Sequence, residues 1–161
     1  IGSAGKTFSL TGWKVGYVTA APHLLQPVAK AHQYITFTTA PNLQTAVAYG
    51  LGKDEAYFTG LAAGLQAKRD RLADGLRSVG FDVLPSAGTY FVAADISPFG
   101  FDGDDEAFCR HLTAEAGVTA IPVSAFFVQD APRSIIRFCF SKKDEILDGA
   151  VDRLRKHFAY R

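Results

Sequence analysis

Methionine is absent from all 161 residues, position 1 included, and only two cysteines occur, Cys109 and Cys139. Two thiols so far apart, without metal-ligand spacing, provide neither a disulfide framework nor a zinc module. Each lies in an apolar-patterned segment, where a reduced, buried thiol is expected. Charge of one sign is not in surplus: 17 Lys and Arg stand against 16 Asp and Glu. No global field therefore draws in nucleic acid or an acidic membrane, and no basic run is interleaved with aromatics. No apolar run reaches the length of a membrane span, and no charged-then-apolar signal opens the chain. A cytoplasmic protein with no nucleic-acid or membrane partner is the expectation. The histidines His23, His32, His111 and His157 show no ligand spacing and read as ordinary helix residues, so no metal is expected.

What is present is the balance of a globular chain, with 48% apolar and 20% charged residues. The opening "IGSAGK" is already a glycine-rich loop, with no capping turn or first strand ahead of it. The chain is therefore expected to be the later portion of a longer protein. "GWKVGYVTAA" reads as a buried strand over 14–19. "APHLLQPVAKAHQY" reads as a helix with Pro22 at its first position and an apolar stripe of Leu24, Leu25, Val28 and Ala31. Pro27 should shorten or kink it. "NLQTAVAYGLG" predicts a short helix closed by glycine. From Asp54 to Val79 apolar residues recur at helical spacing, and Gly80 follows where a helix stops. A helix of that length would span roughly 40 Å and bridge two bodies. From Phe81 onward the order is strand, strand, helix, strand, strand, helix, a small α/β layer domain.

Two lysines dominate the chemistry of the opening. Lys6 lies among Gly2, Ser3, Ala4, Gly5 and Thr7. A loop lysine is ordinarily a solvated charge. Small neighbours and a strand flank beginning near Trp13 would instead hold its amine against an apolar wall, where an amine turns nucleophilic and can form an imine with an aldehyde. Lys14 falls inside the expected strand, where an unpaired ammonium is costly. It is either a snorkelling or ion-paired side chain, or the partner of a phosphate. A phosphate near Lys14 and Ser3 with an aldehyde at Lys6 would describe pyridoxal 5′-phosphate, although spacing alone carries that little way. In "SIIRFCFS", Arg137 alternates with apolar residues, so its side chain leaves an otherwise buried sheet. Read without any resemblance, a structural salt bridge accounts for it.

"SAGKTFSLTGWKVGY" resembles the cofactor-lysine signature of the class I/II aminotransferases, in which Ser-x-x-Lys precedes Thr-Gly-[Trp or Leu]-[Arg or Lys]-[apolar]-Gly. The likeness continues through "HQYITF", "KRDRL", "GTYF", "AIPVSAF" and "IRFCFSKK", and these blocks are most similar to the kynurenine, glutamine and methionine aminotransferase branch. The resemblance implies the C-terminal portion of a fold type I pyridoxal-phosphate-dependent transferase. Residues 1–53 would end the large cofactor-binding domain, and 54–161 would form the long linking helix and a small C-terminal α/β domain.

The same resemblance implies roles. Lys6 would be catalytic, holding the cofactor as a Schiff base and shuttling the substrate proton. Ser3 and Lys14 would bind its phosphate, with lysine keeping the charge but not the fork of the arginine found in many relatives. Arg137 would grip the substrate α-carboxylate. Phe91 would pack beside the substrate, Phe37 would reach a neighbouring subunit's site across a homodimer, and Phe126 is a weaker pocket candidate. Thr38 stands where some kynurenine-acting relatives carry histidine. The implied reaction is ping-pong transfer of an amino group from a methionine, glutamine or aromatic type amino acid to a 2-oxo acid. A carbon–sulfur β-lyase on the same scaffold and an inactive truncated fragment are the alternatives. The family's acidic pyridinium partner, its asparagine and tyrosine at O3′, its ring-stacking aromatic and its phosphate loop precede the lysine, so this chain alone is expected to be inactive.

Overall fold

Short, glycine-rich stretches offer few side chains to bury, and the opening of the chain folds into correspondingly short pieces. In the computed structural model, which describes residues 1–159, strand β1 (Gly2–Ser3) pairs antiparallel with β2 (Gly16–Tyr17). Between them lie helix α1 (Ala4–Thr7) and one 3-10 turn, Thr11–Trp13. The expected buried strand over 14–19 is thus reduced to two exposed residues, because β1 offers only two to pair with. Only Val15 of that stretch is buried; Trp13 and Tyr17 reach solvent. Helix α2 (Pro22–Ile35) carries Pro22 in its first turn and runs unbroken through Pro27. Pro27 leaves the His23 carbonyl without its helical donor, but both residues are exposed, so water can substitute. None of the apolar stripe of α2 is buried. Helix α3 (Pro41–Leu51) follows, and its Val47 joins Ala4 and Val15 in a small core packed by Phe8 and Leu43.

The chain divides into two units, Ile1–Tyr57 and Phe58–Arg161, with the boundary inside helix α4 (Glu55–Val79). Helix α4 buries Leu72, Ala73 and Leu76 near its C-terminal end and stops at Gly80, whose φ is +112°. There the Gly80 N–H donates to Arg77 C=O at 3.0 Å and the Phe81 N–H to Leu76 C=O at 3.2 Å, the paired closure that a positive-φ residue permits. Strands β3 (Asp82–Val83), β4 (Phe91–Asp95), β5 (Ile121–Pro122) and β6 (Ile135–Cys139) form one antiparallel sheet in the order β3-β4-β6-β5. Helix α5 (Asp105–His111), continued by a π-helical turn at Leu112–Ala116, and helix α6 (Asp144–Phe158) complete the unit. The Asp104 side chain caps α5, accepting from the Ala107 N–H at 3.0 Å.

Period-two alternation sorts the central strands. Val92, Ala94, Ile136 and Phe138 are buried and share a core with Leu72 and Leu76 of α4, Phe108 and Leu112, and Leu147, Val151 and Leu154 of α6. Phe91, Ala93, Asp95, Ile135, Arg137 and Cys139 occupy the other face and are half-buried. Cys139 is thus not the buried thiol expected; register puts it opposite the core. Cys109 is buried, and burial together with Asp105 and Glu106 pushes its thiol up to about 12.

Helices α4 and α6 meet closely at Gly75, where an added Cβ would lie 2.5 Å from Val151 Cγ2. An exposed ion pair borders this contact: Arg71 Nε donates to Asp148 Oδ1 at 2.6 Å and Arg71 Nη2 to Asp148 Oδ2 at 2.7 Å. Gly75→Ala should destabilise the protein by about 1 kcal/mol net, overpacking outweighing the helix-propensity gain. In a Val151→Ala background, which vacates the methyls, it should become stabilising, as urea midpoints would show. Acid should also weaken the fold. Hydrogen bonding and charge from Arg71 hold the Asp148 carboxyl below its usual range; the Ala107 N–H does so for Asp104, and Ser97 for Asp95. Groups depressed in this way contribute fully above the unfolded carboxylate value, about 4, and lose that contribution as pH falls through their folded values. A Tm series from pH 6 to 2 should fall below about pH 4, less steeply in Asp148→Asn.

Candidate functional site

In the first unit, Ser3, Gly5, Lys6, Thr11, Lys14, Val15 and Gly16 surround a concavity of about 320 Å³. The pairing of β1 with β2 makes it: it brings Ser3 opposite Gly16, and the Ala4 N–H donates to Val15 C=O at 3.1 Å. Thr11 Oγ1 donates to Gly5 C=O at 3.4 Å and ties the 3-10 turn to α1. Two lysines and two hydroxyls thus border one hollow, and no carboxylate lines it. An excess of positive charge with hydroxyl donors suits a phosphate, so Ser3 and Lys14 fit the anionic end of the cofactor implied by the sequence.

Two local expectations need correcting here. Lys6 stands on a four-residue helix rather than a loop, and it is exposed, so burial does not desolvate its amine. Ala4 and Gly5 take the buried side of that helical turn instead. Lys14 is likewise exposed, at the end of the 3-10 turn, with a left-handed φ of +54°. Its side chain makes no ion pair among the described residues, and, exposed and outside β2, it is not the buried strand cation expected. A non-glycine residue in this region carries strain, which concentrates at functional positions.

In the second unit the sheet face away from the core presents Arg137. Its backbone partner on β4 is Ala93 and on β5 Ile121. Alanine opposite leaves room for the long side chain to lie diagonally across to Phe91. The guanidinium carbon sits 3.9 Å from the Phe91 ring centroid and 4.6 Å from that of Phe126. Two rings therefore pack against the guanidinium, within the range of cation–π attraction. Arg137 makes no salt bridge among the described residues, so the structural ion pair considered from sequence is absent. Its Nε is buried without a hydrogen-bond partner. Asp95, on the same face, is engaged instead by the Ser97 N–H at 2.8 Å and the Ser97 hydroxyl at 2.6 Å. A guanidinium packed against rings and without a salt bridge can receive a planar anion through its fork.

Phe37 follows α2 at a left-handed φ of +69° and is 76% exposed. It borders an apolar hollow of about 720 Å³ with Tyr17, Leu25, Val28, His32, Thr38, Val47 and Leu51. A bulky residue at positive φ is unusual, and its exposure leaves the ring available for contact. Phe126, weakly signalled by the "FF" pair, is shown to touch Arg137. Two features went unread. Asp105 is fully buried, and its Oδ2 accepts the Ser124 N–H at 2.8 Å. His111 and His157 bring their Nε2 atoms to 3.0 Å. Both pairings link residues distant in sequence and leave no periodic trace.

A model of the aminotransferase class I and II family matches residues 1–154 of the chain. The structure is similar to that of N-succinyldiaminopimelate aminotransferase from Mycobacterium tuberculosis, with a TM-score of 0.87 and 42% identity over 96% of this chain and 40% of that one. It is similar also to a methionine aminotransferase from Escherichia coli, with a TM-score of 0.88, 40% identity and the same shares of the two chains. In sequence, kynurenine–oxoglutarate transaminase of Dictyostelium discoideum is 40% identical over 97% of this chain and 40% of its own length. The chain spans about two-fifths of the length of the relatives it matches.

Proposed function

The chain belongs to the class I and II aminotransferase family, and from that premise we propose that it supplies the cofactor lysine and the carboxylate receptor of a pyridoxal-phosphate-dependent aminotransferase. The observation that carries the reading furthest is the guanidinium of Arg137, which packs against two rings and makes no salt bridge among the described residues. A cation kept in place without a protein carboxylate is suited to one that arrives with the substrate.

The bound cofactor would supply an electron sink for the charge left when the substrate α-proton departs. Lys6 would hold the cofactor through its amine, and that amine would take the α-proton and return it during transfer. Lys14 would neutralise the phosphate, and the Ser3 hydroxyl would donate to it. Arg137 would bind the α-carboxylate and so select amino acids and fix their orientation. Phe91 would add apolar contact to the substrate side chain, and Phe37 would do so across a homodimer. The amino group would leave one amino acid and pass to a 2-oxo acid in a second half-reaction. An aromatic-lined pocket suits methionine, glutamine or an aromatic amino acid better than aspartate. The relatives named for methionine and kynurenine agree with that range.

Borohydride reduction of the full-length protein with bound cofactor, followed by peptide mass mapping, should place the adduct on Lys6, and Lys6→Ala should remove it. Recovery of the adduct on another lysine would overturn the assignment. Arg137→Lys should raise KM for the amino acid by roughly tenfold or more, since the ammonium keeps charge but loses the two-point fork. Release of pyruvate and ammonia from a cysteine conjugate, without amine transfer to a 2-oxo acid, would instead identify the β-lyase.

A further inference from the structure

We infer that Phe126 is a positioning residue for the substrate carboxylate: with Phe91 it packs an aromatic ring on the Arg137 guanidinium, doing the orienting work that a protein carboxylate would otherwise do. This rests on Arg137 being the carboxylate receptor, and it adds a residue and a specificity to that role.

Long arginine side chains are rotamer-rich, and an unpaired one on an open sheet face ordinarily samples several positions. A carboxylate from Asp or Glu would fix it but would also occupy the fork that the substrate needs. Two aromatic faces fix it without occupying the edge. The ring of Phe91 lies 3.9 Å from the guanidinium carbon and that of Phe126 lies 4.6 Å from it. Nε is enclosed and unpartnered, whereas neither terminal nitrogen is both enclosed and unpartnered. An incoming ligand therefore meets the terminal Nη edge, and end-on docking of a planar two-oxygen anion matches that edge.

Both rings are anchored independently of any ligand. Phe91 lies within the β4–β6 ladder, and Ser86 Oγ donates to its carbonyl at 2.9 Å. Phe126 ends the 3-10 turn Val123–Phe126, and the buried Asp105 carboxylate pins that turn by accepting the Ser124 N–H at 2.8 Å. As a residue, Phe126 is 59% exposed. Core packing does not account for a phenylalanine there, whereas covering a guanidinium does.

The test uses the full-length protein with bound cofactor and compares wild type, Phe126→Leu, Phe126→Tyr and Arg137→Lys. Steady-state kinetics give kcat and KM for an amino acid donor, calorimetry gives Kd for 3-phenylpropionate (a carboxylate with no amine), and thermal unfolding monitors the fold. Phe126→Leu, which keeps bulk but loses the π face, should raise both KM and Kd by about three- to tenfold, with kcat within about twofold and Tm unchanged. Phe126→Tyr should behave as wild type. If Phe126→Leu leaves KM and Kd unchanged while Arg137→Lys raises them, the positioning role is wrong and the carboxylate receptor stands. If Arg137→Lys changes neither, the receptor reading fails and the positioning role with it. A Phe126→Leu loss of binding accompanied by a lower Tm, and not restored in Phe126→Tyr, would make the ring structural and overturn the inference.

Discussion

Strand geometry allows a sheet residue only two directions, and in the second unit one of them is already taken. Val92, Ala94, Ile136 and Phe138 turn toward the helices and complete the core with Leu76, Phe108, Leu112 and Leu154. Arg137, between two of those residues on β6, has no option but the opposite face. A one-residue slip would drive the guanidinium into the apolar core, where a charge is costly. The position of Arg137 is thus fixed by the burial of its neighbours. Its orientation is fixed separately, by Ala93 opposite and by the two rings.

The first unit works under the reverse condition. Its core is three buried residues with Phe8 and Leu43 against them, so few side chains decide its shape and backbone geometry decides more. A two-residue strand pair, one 3-10 turn and a left-handed Lys14 bring Ser3, Lys6 and Lys14 around a single hollow. No carboxylate lines the concavity, and two lysines with two hydroxyls at its border suit an anion.

Long-period patterns in the sequence were legible and local ones were not. The helices over 55–79 and 144–158 and the strands around Phe91 and Arg137 show in apolar spacing. The strands and the second helix bury residues at that spacing along their length, whereas the first helix buries only Leu72, Ala73 and Leu76 near its C-terminal end. Gly80 shows for a different reason: its positive φ excludes most side chains. The stretch over 14–19 misled, because alternating bulky and small residues mimic a strand even where only two find a partner. Pro27 misled because its penalty assumes an enclosed helix, and α2 is open to water. For the site, Ser3, Lys6, Lys14, Arg137, Phe91 and Phe37 were named from a contiguous motif and later blocks. Their surroundings were not legible, since an exposed Lys6 and a stacked Arg137 depend on residues brought in from elsewhere.

By itself, the sequence determined the family, the order of elements from Phe81 onward and the residue types available for chemistry, since these follow from motif identity and apolar period. Only the tertiary structure decided that Arg137 makes no salt bridge among the described residues and that Phe126 packs on it with Phe91. It also decided that Asp105 secures the Phe126 turn and that His111 meets His157. The reason is physical: a periodic pattern records which face of an element is buried, but not which distant side chain arrives to cover the other.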